Sequence, residues 1–411
     1  MSTARTMDHA APRSGERPAV LYISYDGMLE PLGQSQVIAY LEGLADRYRF
    51  HLLSFEKPAD WADTTRRAHV AERLRRAGIH WHPLTYHKAP SVPATLFDIA
   101  QGTARALAIA VRHRVRIVHA RSYVAALMAR AVKRTTGAKL LFDMRGLWAD
   151  ERVDGGLWPR EGRVYRTVKA LEEGLLTHAD HVVTLTDASA DEIATFPYLR
   201  GRDVAMSIIP TCADLDRFRP PTSRAPEPWT LGYLGSVGTW YLFDEVLECF
   251  RLILERRPDA RLLVVNRHEH DFIRARVAAL GIAPERLELV AADHAQVPAL
   301  IAGMTVGAAI IKPVYSKIAS APTKLAEYLG CGVPCLGNAG VGDMEAVLEG
   351  ERTGVALTDF SPADRAGAVD RLFTLLNDPA LASRCRDTAE RLFSLDAGVA
   401  AYARIYEELL A

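Results

Sequence analysis

Short apolar runs alternate with amphipathic helical stretches along most of this sequence, and no other feature constrains the fold more. Helical patterns such as residues 64–77 and 104–114 fill the gaps between the runs. Strand and helix in regular alternation are typical of a doubly wound parallel sheet. In the first half of the chain the predicted strands are residues 19–24, 50–55, 79–84, 117–120, 139–143 and 181–185.

The alternation breaks once, in a proline-rich stretch that begins near Ile208, and a second series then starts at Thr230. A chain of 411 residues suits two domains of roughly 150–200 residues each. We therefore predict an α/β protein with two tandem Rossmann-like domains, whose carboxyl strand ends face each other across a cleft. The predicted later strands are residues 230–235, 260–266, 287–290, 306–311 and 333–336. The predicted boundaries are a disordered tail at 1–17, domains at 18–210 and 229–392, a linker at 211–228, and a C-terminal helix at 393–411 that can cross back to the first domain.

The formal net charge is zero, but the charge is unevenly distributed. Residues 1–200 carry 28 Lys and Arg against 22 Asp and Glu, a net charge of +6. Residues 201–411 carry 22 against 28, a net charge of −6. The basic half favours a phosphorylated acceptor or an acidic membrane surface as a partner, although scatter explains such an excess equally well. Residues 1–17 lack the apolar core of a signal peptide and no apolar run approaches ~20 residues, so we expect a cytoplasmic protein, with peripheral membrane contact through the basic half.

A glycine-bearing loop follows the first predicted strand. Gly33 lets backbone amides approach an anion, and the helix start behind it adds a favourable dipole. Gly33 is therefore a candidate contact for an anionic ligand. Asp26 and Gln34 belong to the same loop and are candidate acceptor contacts. The loop has neither the GxGxxG spacing nor the Gly-Lys-Ser/Thr of a P-loop, which argues against a nicotinamide dehydrogenase. An ordinary strand–helix turn is the alternative interpretation.

Polar residues also follow two later strands of the first domain. His119 closes one strand, with Arg121 directly after it, and Asp143 and Arg145 lie at the end of the next. Because ligands bind at carboxyl strand ends in such sheets, His119 is a candidate catalytic residue and the other three are candidate acceptor contacts. A structural histidine and a local salt bridge between Asp143 and Arg145 are the competing interpretations.

The second domain opens with a similar loop. It contains Gly235, Ser236, Gly238 and Thr239, whose amides and hydroxyls can hold a diphosphate ahead of the next helix. Two glycines are a weak signal by themselves.

A stronger signal follows at residues 317–327. Thr323 marks a helix start, and Lys324 and Glu327 are three residues apart on that helix, so both can point the same way. A lysine near a helix amino end opposes the helix dipole unless an anion binds there. We therefore predict that Lys324 faces an anionic ligand and that Glu327 can accept two hydrogen bonds from a ribose diol, with Lys317, Ser320 and Thr323 as further candidate contacts. A surface salt bridge between Lys324 and Glu327 is the alternative.

Three metal-like patterns are interpreted as structural. Asp214-Leu-Asp216 has the Asp-x-Asp form but belongs to the linker, and His268-Glu-His270 places alternating residues on one loop. Cys331 and Cys335 have no second Cys or His pair at suitable spacing. We predict no metal site, and buried thiols at the two cysteines.

These motifs together resemble the GT-B fold glycosyltransferases of the large retaining group called family 4 (glycosyl transferases group 1). The most specific part is Ser320-x-Pro-x-Lys324-x-x-Glu327-Tyr-x-x-x-Gly332-x-Pro334. It is similar to a donor signature in which the lysine helps bind the diphosphate and the glutamate binds the ribose. Residues 209–220 resemble the linker of that family, and Gly340 begins a turn that resembles its glycine-rich turn beside the donor.

The resemblance implies transfer of a sugar from a nucleotide-diphosphate sugar, a co-substrate rather than a cofactor, to a carbohydrate or lipid-linked acceptor held by the first domain. It further implies retention, no metal, no nucleic acid partner, and a role in cell-surface polysaccharide or glycolipid assembly. Ala319 departs from the pattern, which commonly has a glutamate there, and residues 235–245 lack the usual lysine, so Lys317 or Lys324 would supply that charge. A nucleotide-sugar epimerase of the same fold and a non-catalytic partner subunit are the alternatives, and Ala319 favours the latter.

Overall fold

Two parallel β-sheets organise the chain in a computed structural model that describes residues 17–221, 228–293 and 295–411. Except for Arg17, the predicted tail lies outside the described residues, as does the 222–227 part of the predicted linker. Both sheets carry helices between successive strands, so the predicted two-domain α/β architecture is confirmed.

The first sheet has seven strands in the order β3-β2-β1-β4-β5-β6-β7, all of them parallel. Strand β1 is buried along its whole length, which explains its continuous apolar run. The strand order reverses between β1 and β4, the point at which open α/β sheets bind ligands. The strands are β1 Ala19–Ser24, β2 Arg49–Glu56, β3 His80–Thr85, β4 Ile117–Arg121, β5 Lys139–Asp143, β6 His181–Thr184 and β7 Met206–Ile208.

The second sheet has six parallel strands in the order β10-β9-β8-β11-β12-β13. It repeats the reversal of the first sheet, here between β8 and β11. Apolar clusters cover both faces of each sheet. The strands are β8 Thr230–Leu234, β9 Arg261–Val265, β10 Leu287–Val290, β11 Val306–Ala308, β12 Cys335–Asn338 and β13 Gly354–Leu357.

Helices connect the strands, and side-chain caps mark where several of them start. Asp63, Thr186, Ser361 and Ser394 each accept a hydrogen bond from an amide in the first turn of the helix that follows. In the first domain the helices are α1 Pro31–Gly33, α2 Ala39–Leu44, α3 Pro58–Trp61, α4 Thr64–Arg76, α5 Ser91–His113, α6 Ser122–Thr136, α7 Trp148–Asp154, α8 Arg163–Leu176 and α9 Asp187–Ala194. The later helices are α10 Phe243–Arg256, α11 His270–Ala279, α12 Val297–Ala302, α13 Thr323–Gly330, α14 Pro362–Leu375, α15 Leu381–Phe393 and α16 Leu395–Leu410.

The structure differs from the sequence-based prediction at both sheet edges. Strands β7 and β13 were not predicted, and the first of them ends at Ile208, where the interdomain break was predicted to begin. The first helical stretch begins at Pro31 and contains a π-helical turn at Gln34–Ile38. None of the helices in the described ranges is both long enough and apolar enough to cross a bilayer.

The chain crosses between the domains at two adjacent places. The amide of Ala213 donates to the carbonyl of Phe393, and the amide of Leu395 donates to the carbonyl of Ala213. Helix α16 then packs against α2 and β4 and places Tyr402 and Tyr406 in the core of the first domain. The Tyr406 hydroxyl meets Nδ1 of buried His119 at 2.7 Å.

We expect Tyr406→Phe to lower the free energy of unfolding by about 1–2 kcal/mol, because it leaves a buried imidazole nitrogen without its partner. Urea titration of both proteins measures the change. Tyr48→Phe is the matched control in the same cluster, since the Tyr48 hydroxyl is 3.4 Å from the Ala403 carbonyl and its bond is weaker. Equal losses for the two variants would contradict the assignment.

Candidate active site

The ammonium of Lys324 is the most unusual group at the carboxyl end of the second sheet. Lys324 lies in the first turn of α13, and its Nζ is buried without a hydrogen-bond partner among the described residues. The ring centroids of Tyr233 and Tyr241 lie 4.6 and 4.1 Å from it, and a Cβ added at Gly235 would come within 3.6 Å. Burial lowers the pKa of this lysine to about 8, despite opposing interactions with Cys335 and Glu327. The cation therefore faces the backbone of the Gly235 loop.

Glu327 lies on the same helix, one turn after Lys324. Burial raises the pKa of its carboxyl to about 7, and the charges of Lys324 and Arg217 only partly offset this effect. Because Nζ of Lys324 has no hydrogen-bond partner in the described chain, the two side chains do not form the surface salt bridge that was the alternative interpretation. Both groups are desolvated and hold pKa values typical of functional sites.

The loop after β8 is held by a residue that the sequence analysis missed. The carboxylate of Glu269 accepts hydrogen bonds from the Val237 amide at 3.1 Å and the Ser236 hydroxyl at 3.2 Å. Gly235 and Thr239 both have positive φ, 100° and 55°, so the loop is sharply bent and partly strained. Gly238 lies beside the same carboxylate, since a Cβ added there would come within 3.4 Å of it. Glu269 therefore already holds the Ser236 hydroxyl, one of the groups predicted to bind a diphosphate, together with the neighbouring Val237 amide.

Lys317 makes an ion pair across the domain boundary. Its Nζ lies 2.7 Å from Oε1 of Glu151 on α7 of the first domain and 4.0 Å from the ring centroid of Trp240. The neighbouring Ser316 amide donates to Asp154 at 2.8 Å. Lys317 is therefore committed to Glu151 in this structure, and its predicted contact with a donor stays a prediction.

Further hydrogen bonds join the domains on the same side. The Thr186 hydroxyl donates to the Ile318 carbonyl at 2.7 Å, and Asp343 accepts from the amides of Asp187 and Ala188 at 2.8 and 3.0 Å. These contacts connect elements that follow strands β6, β11 and β12. The loops after the carboxyl strand ends of the two sheets therefore meet each other, as the predicted cleft requires.

The predicted acceptor residues of the first domain form one charged cluster. Asp143 is buried, and its carboxylate lies 3.7 Å from the guanidinium groups of Arg121 and Arg145. Arg121 also lies 3.4 Å from Asp26, whose side chain is half exposed. Burial by itself would raise the pKa of Asp143, but the charge of Arg145 and the contacts with His119 and Arg121 outweigh it and hold that pKa below its usual range. The local salt bridge that the sequence analysis left open is therefore present, and it connects four predicted residues.

His119, the predicted catalytic residue of the first domain, lies in a buried position. Its side chain is only 3% exposed, its Nδ1 meets Tyr406, and its Nε2 faces Asp143 at 3.7 Å. Burial lowers the pKa of the imidazole, so the ring is neutral near pH 7. The rings of Tyr22, Tyr402 and Tyr406 surround the imidazole, so in this structure His119 packs against α16 and faces Asp143, and its catalytic role stays a prediction.

Other predicted contacts lie nearby in less informative positions. Gly33 has helical φ and is buried, and a Cβ there would clash with the Gly27 carbonyl at 2.1 Å, so close backbone packing explains this glycine. Gln34 follows it, half buried in the π-helical turn. Ser320 and Thr323 flank the start of α13, and Gly340, with φ of 77°, turns against Pro313. Their predicted ligand contacts stay predictions.

The metal-like patterns have structural explanations. Asp214 Oδ1 accepts the amides of Asp216 and Arg217, which makes a local turn in the linker. In His268-Glu-His270, Glu269 holds the loop described above and His270 contacts the Asn266 carbonyl. Cys331 and Cys335 are buried free thiols.

Comparison with known families identifies the chain. The family model of the glycosyl transferase 4-like domain matches residues 34–210, and the model of glycosyl transferases group 1 matches residues 214–392. This chain belongs to that glycosyltransferase family. The enzyme is similar to D-inositol 3-phosphate glycosyltransferase of Corynebacterium jeikeium, with 25% identity over 58% of this chain and 59% of that relative. The similarity thus spans less than two thirds of the relative's length.

Solved structures of glycosyltransferases share the fold at low sequence identity. Sucrose-phosphate synthase from Thermosynechococcus elongatus has a TM-score of 0.71 at 17% identity, covering 96% of this chain and 99% of that one. A glycosyltransferase from Rickettsia africae gives 0.71 at 15%, with the same coverage. HepE from Anabaena, solved in complex with UDP-glucose, gives 0.67 at 15%, covering 95% and 99%. The glycosyltransferase therefore has the GT-B architecture.

We expect Lys324→Met to stabilise this glycosyltransferase by about 2 kcal/mol at pH 7, because a buried ammonium without a partner opposes folding. The folded-state pKa of about 8 lies below the ordinary 10.5, so the penalty is complete below pH 8 and fades as the pH rises to 10.5. The advantage of the variant should shrink over that interval in urea titrations.

Lys169→Met is the matched control for this prediction. The Lys169 ammonium is partly buried but bonded to Asp150 at 3.1 Å and to Glu172, so its removal should destabilise the enzyme. If Lys324→Met is also destabilising at pH 7, the ammonium is satisfied in solution and the candidate site loses its main support.

Proposed function

We propose that this glycosyltransferase binds the diphosphate of a nucleotide sugar at Lys324 and the Gly235–Thr239 loop. One observation carries the proposal: a buried ammonium without a hydrogen-bond partner among the described residues is aimed at a bent glycine loop at the carboxyl end of β8. An anion bound there would supply the missing partner and would relieve the burial penalty of the cation. The UDP-glucose complex of HepE, which shares the fold, is consistent with such a donor.

Glu327 is the proposed contact to the ribose of the donor. Its carboxyl has a pKa near 7, so it can accept hydrogen bonds from a ribose diol when ionised and donate one when protonated. Its place one turn after Lys324 suits a nucleotide whose diphosphate and ribose are adjacent.

The chemistry that follows is transfer of the glycosyl group to an acceptor hydroxyl. As the anomeric C–O bond breaks, positive charge develops on the sugar and negative charge on the leaving diphosphate. Lys324 and the loop amides stabilise the diphosphate without moving, since their positions are fixed by the fold. The cluster of Asp26, Arg121, Asp143 and Arg145 is the proposed acceptor side, and contact between the domains excludes water that would hydrolyse the donor.

We further propose a retaining, metal-independent enzyme of cell-surface polysaccharide or glycolipid assembly, working in the cytoplasm or at the inner membrane surface. These finer assignments are supported by the family to which the chain belongs and by cationic groups placed to replace a metal at the diphosphate. Epimerisation of the nucleotide sugar on the same fold is the alternative, because it would use the same binding site for the nucleotide sugar but would need no acceptor.

We expect Lys324→Met and Glu327→Gln each to weaken binding of the cognate nucleoside diphosphate by about 10–100-fold, since each removes a desolvated polar contact worth about 1.5–3 kcal/mol. Isothermal titration with UDP, GDP and ADP measures this effect. Asp216→Asn, on the exposed linker turn, should bind like the wild type. Unchanged affinity in both site variants would show that the nucleotide binds elsewhere.

The reaction itself is tested with a panel of nucleotide sugars, with and without extracted cell lipids and polysaccharides. Nucleoside diphosphate should be released quickly only when an acceptor is present, and excess EDTA should not slow the release. A changed sugar without an acceptor would favour epimerisation, while a loss of activity in EDTA that Mg²⁺ or Mn²⁺ restores would contradict metal independence. If no nucleotide sugar binds, a non-catalytic partner subunit is the interpretation that remains.

A further inference from the structure

A cavity of about 340 Å³ lies where α7, α8 and α9 of the first domain meet Tyr315 of the second. Its size falls at the lower end of small-molecule sites, roughly 300–1,000 Å³. Tyr315 opens the 3-10 segment Tyr315–Ala319, which also carries Lys317 and leads into the proposed donor helix. The cavity therefore shares this chain segment with the proposed donor site, and none of its lining residues is among the groups assigned to that site.

The walls of the cavity combine aromatic rings with carboxylates. Tyr165, Phe196, Tyr198 and Tyr315 contribute the rings, and the hydroxyl of Tyr315 bonds Glu192 across the domain boundary at 2.7 Å. The buried carboxylate of Asp150 accepts from the Tyr165 hydroxyl at 2.8 Å and from Lys169 at 3.1 Å. A sugar ring presents an apolar C–H face that packs on such rings and hydroxyls that bond to such carboxylates.

The charges at the cavity favour a neutral ligand. Lys169 is held between Asp150 and buried Glu172, which leaves Arg160 as the cation available among the described lining residues. The Arg160 guanidinium is 3.8 Å from both Asp150 and Asp154, beyond hydrogen-bond distance, and its side chain is half exposed. A phosphate would meet the carboxylates of Asp150 and Glu192 as well as this one arginine, whereas a sugar hydroxyl can use all three groups.

We infer that this cavity binds a neutral saccharide unit of the acceptor, next to the unit that receives the transferred sugar. The inference rests on the proposed function and deepens it, because it makes the acceptor a glycan rather than a bare phosphorylated lipid or polyol. Because Tyr315 belongs to the second domain, the site is complete only when the domains are in contact.

The test uses the full chain saturated with whichever of UDP, GDP and ADP it binds, and ligand-observed NMR with a panel of methyl glycosides as probes. Thr195→Trp places an indole in the cavity from an exposed position, and we expect it to abolish glycoside binding. Thr135→Trp is the matched control: Thr135 is also exposed near the end of a helix, and both hydroxyls donate to a backbone carbonyl of the preceding turn. It should bind the same glycosides as the wild type.

A second variant keeps the inference testable if the indole disturbs folding. Arg160→Gln should weaken binding of the preferred methyl glycoside by about 10-fold without altering nucleotide affinity, since one charge-assisted hydrogen bond is lost. Glycoside signals that survive both Thr195→Trp and Arg160→Gln would overturn the inference. The inference would also be overturned if glycerol phosphate bound more tightly than every glycoside and lost that binding in Arg160→Gln.

The outcomes also separate this inference from the proposed function. If a nucleoside diphosphate binds but no methyl glycoside does, the saccharide site is wrong and the donor site stands. If no nucleoside diphosphate binds, the proposed function fails, and the inference fails with it.

Discussion

Two backbone hydrogen bonds, between Ala213 and the residues on either side of Ser394, determine how the halves of this glycosyltransferase are joined. They set the linker and the start of α16 side by side, so both crossings lie on one line, about which the domains can hinge. The contacts at Lys317 and Asp343 are of a different kind, because they are polar, partly exposed and individually weak. Such bonds exchange readily with water, so they add little to the strength of the contact between the domains.

The candidate donor site is assembled at a cost in stability. Burial moves the pKa of Lys324 down and that of Glu327 up, to values about one unit apart, so both groups titrate near neutral pH. Neither shift benefits the empty protein, since each reports a charged form that has lost its water. A ligand that carries negative phosphate and neutral hydroxyls complements both groups. Its binding would offset the desolvation penalty that these groups impose on folding.

Much of the backbone could be predicted because its signals are local. Apolar runs located most strands of both sheets, and the spacing of Lys324 and Glu327 placed both on one helix turn. The edge strands β7 and β13 have three and four residues and were not predicted, and β7 runs directly into the proline-rich stretch at Ile208. The contacts of Glu269, Glu151 and Tyr406 join residues 32, 166 and 287 positions apart, which no local spacing encodes.

The return of α16 to the first domain affects the order in which the chain can fold. This helix is synthesised after the whole second domain, yet it supplies Tyr402 and Tyr406 to the core around His119. On the ribosome the first sheet can form early, but its apolar groove beside α2 and β4 stays uncovered until residues 395–410 emerge. The first domain to be made is therefore the last to be completed, and during that interval its exposed groove is the surface most in need of protection from aggregation.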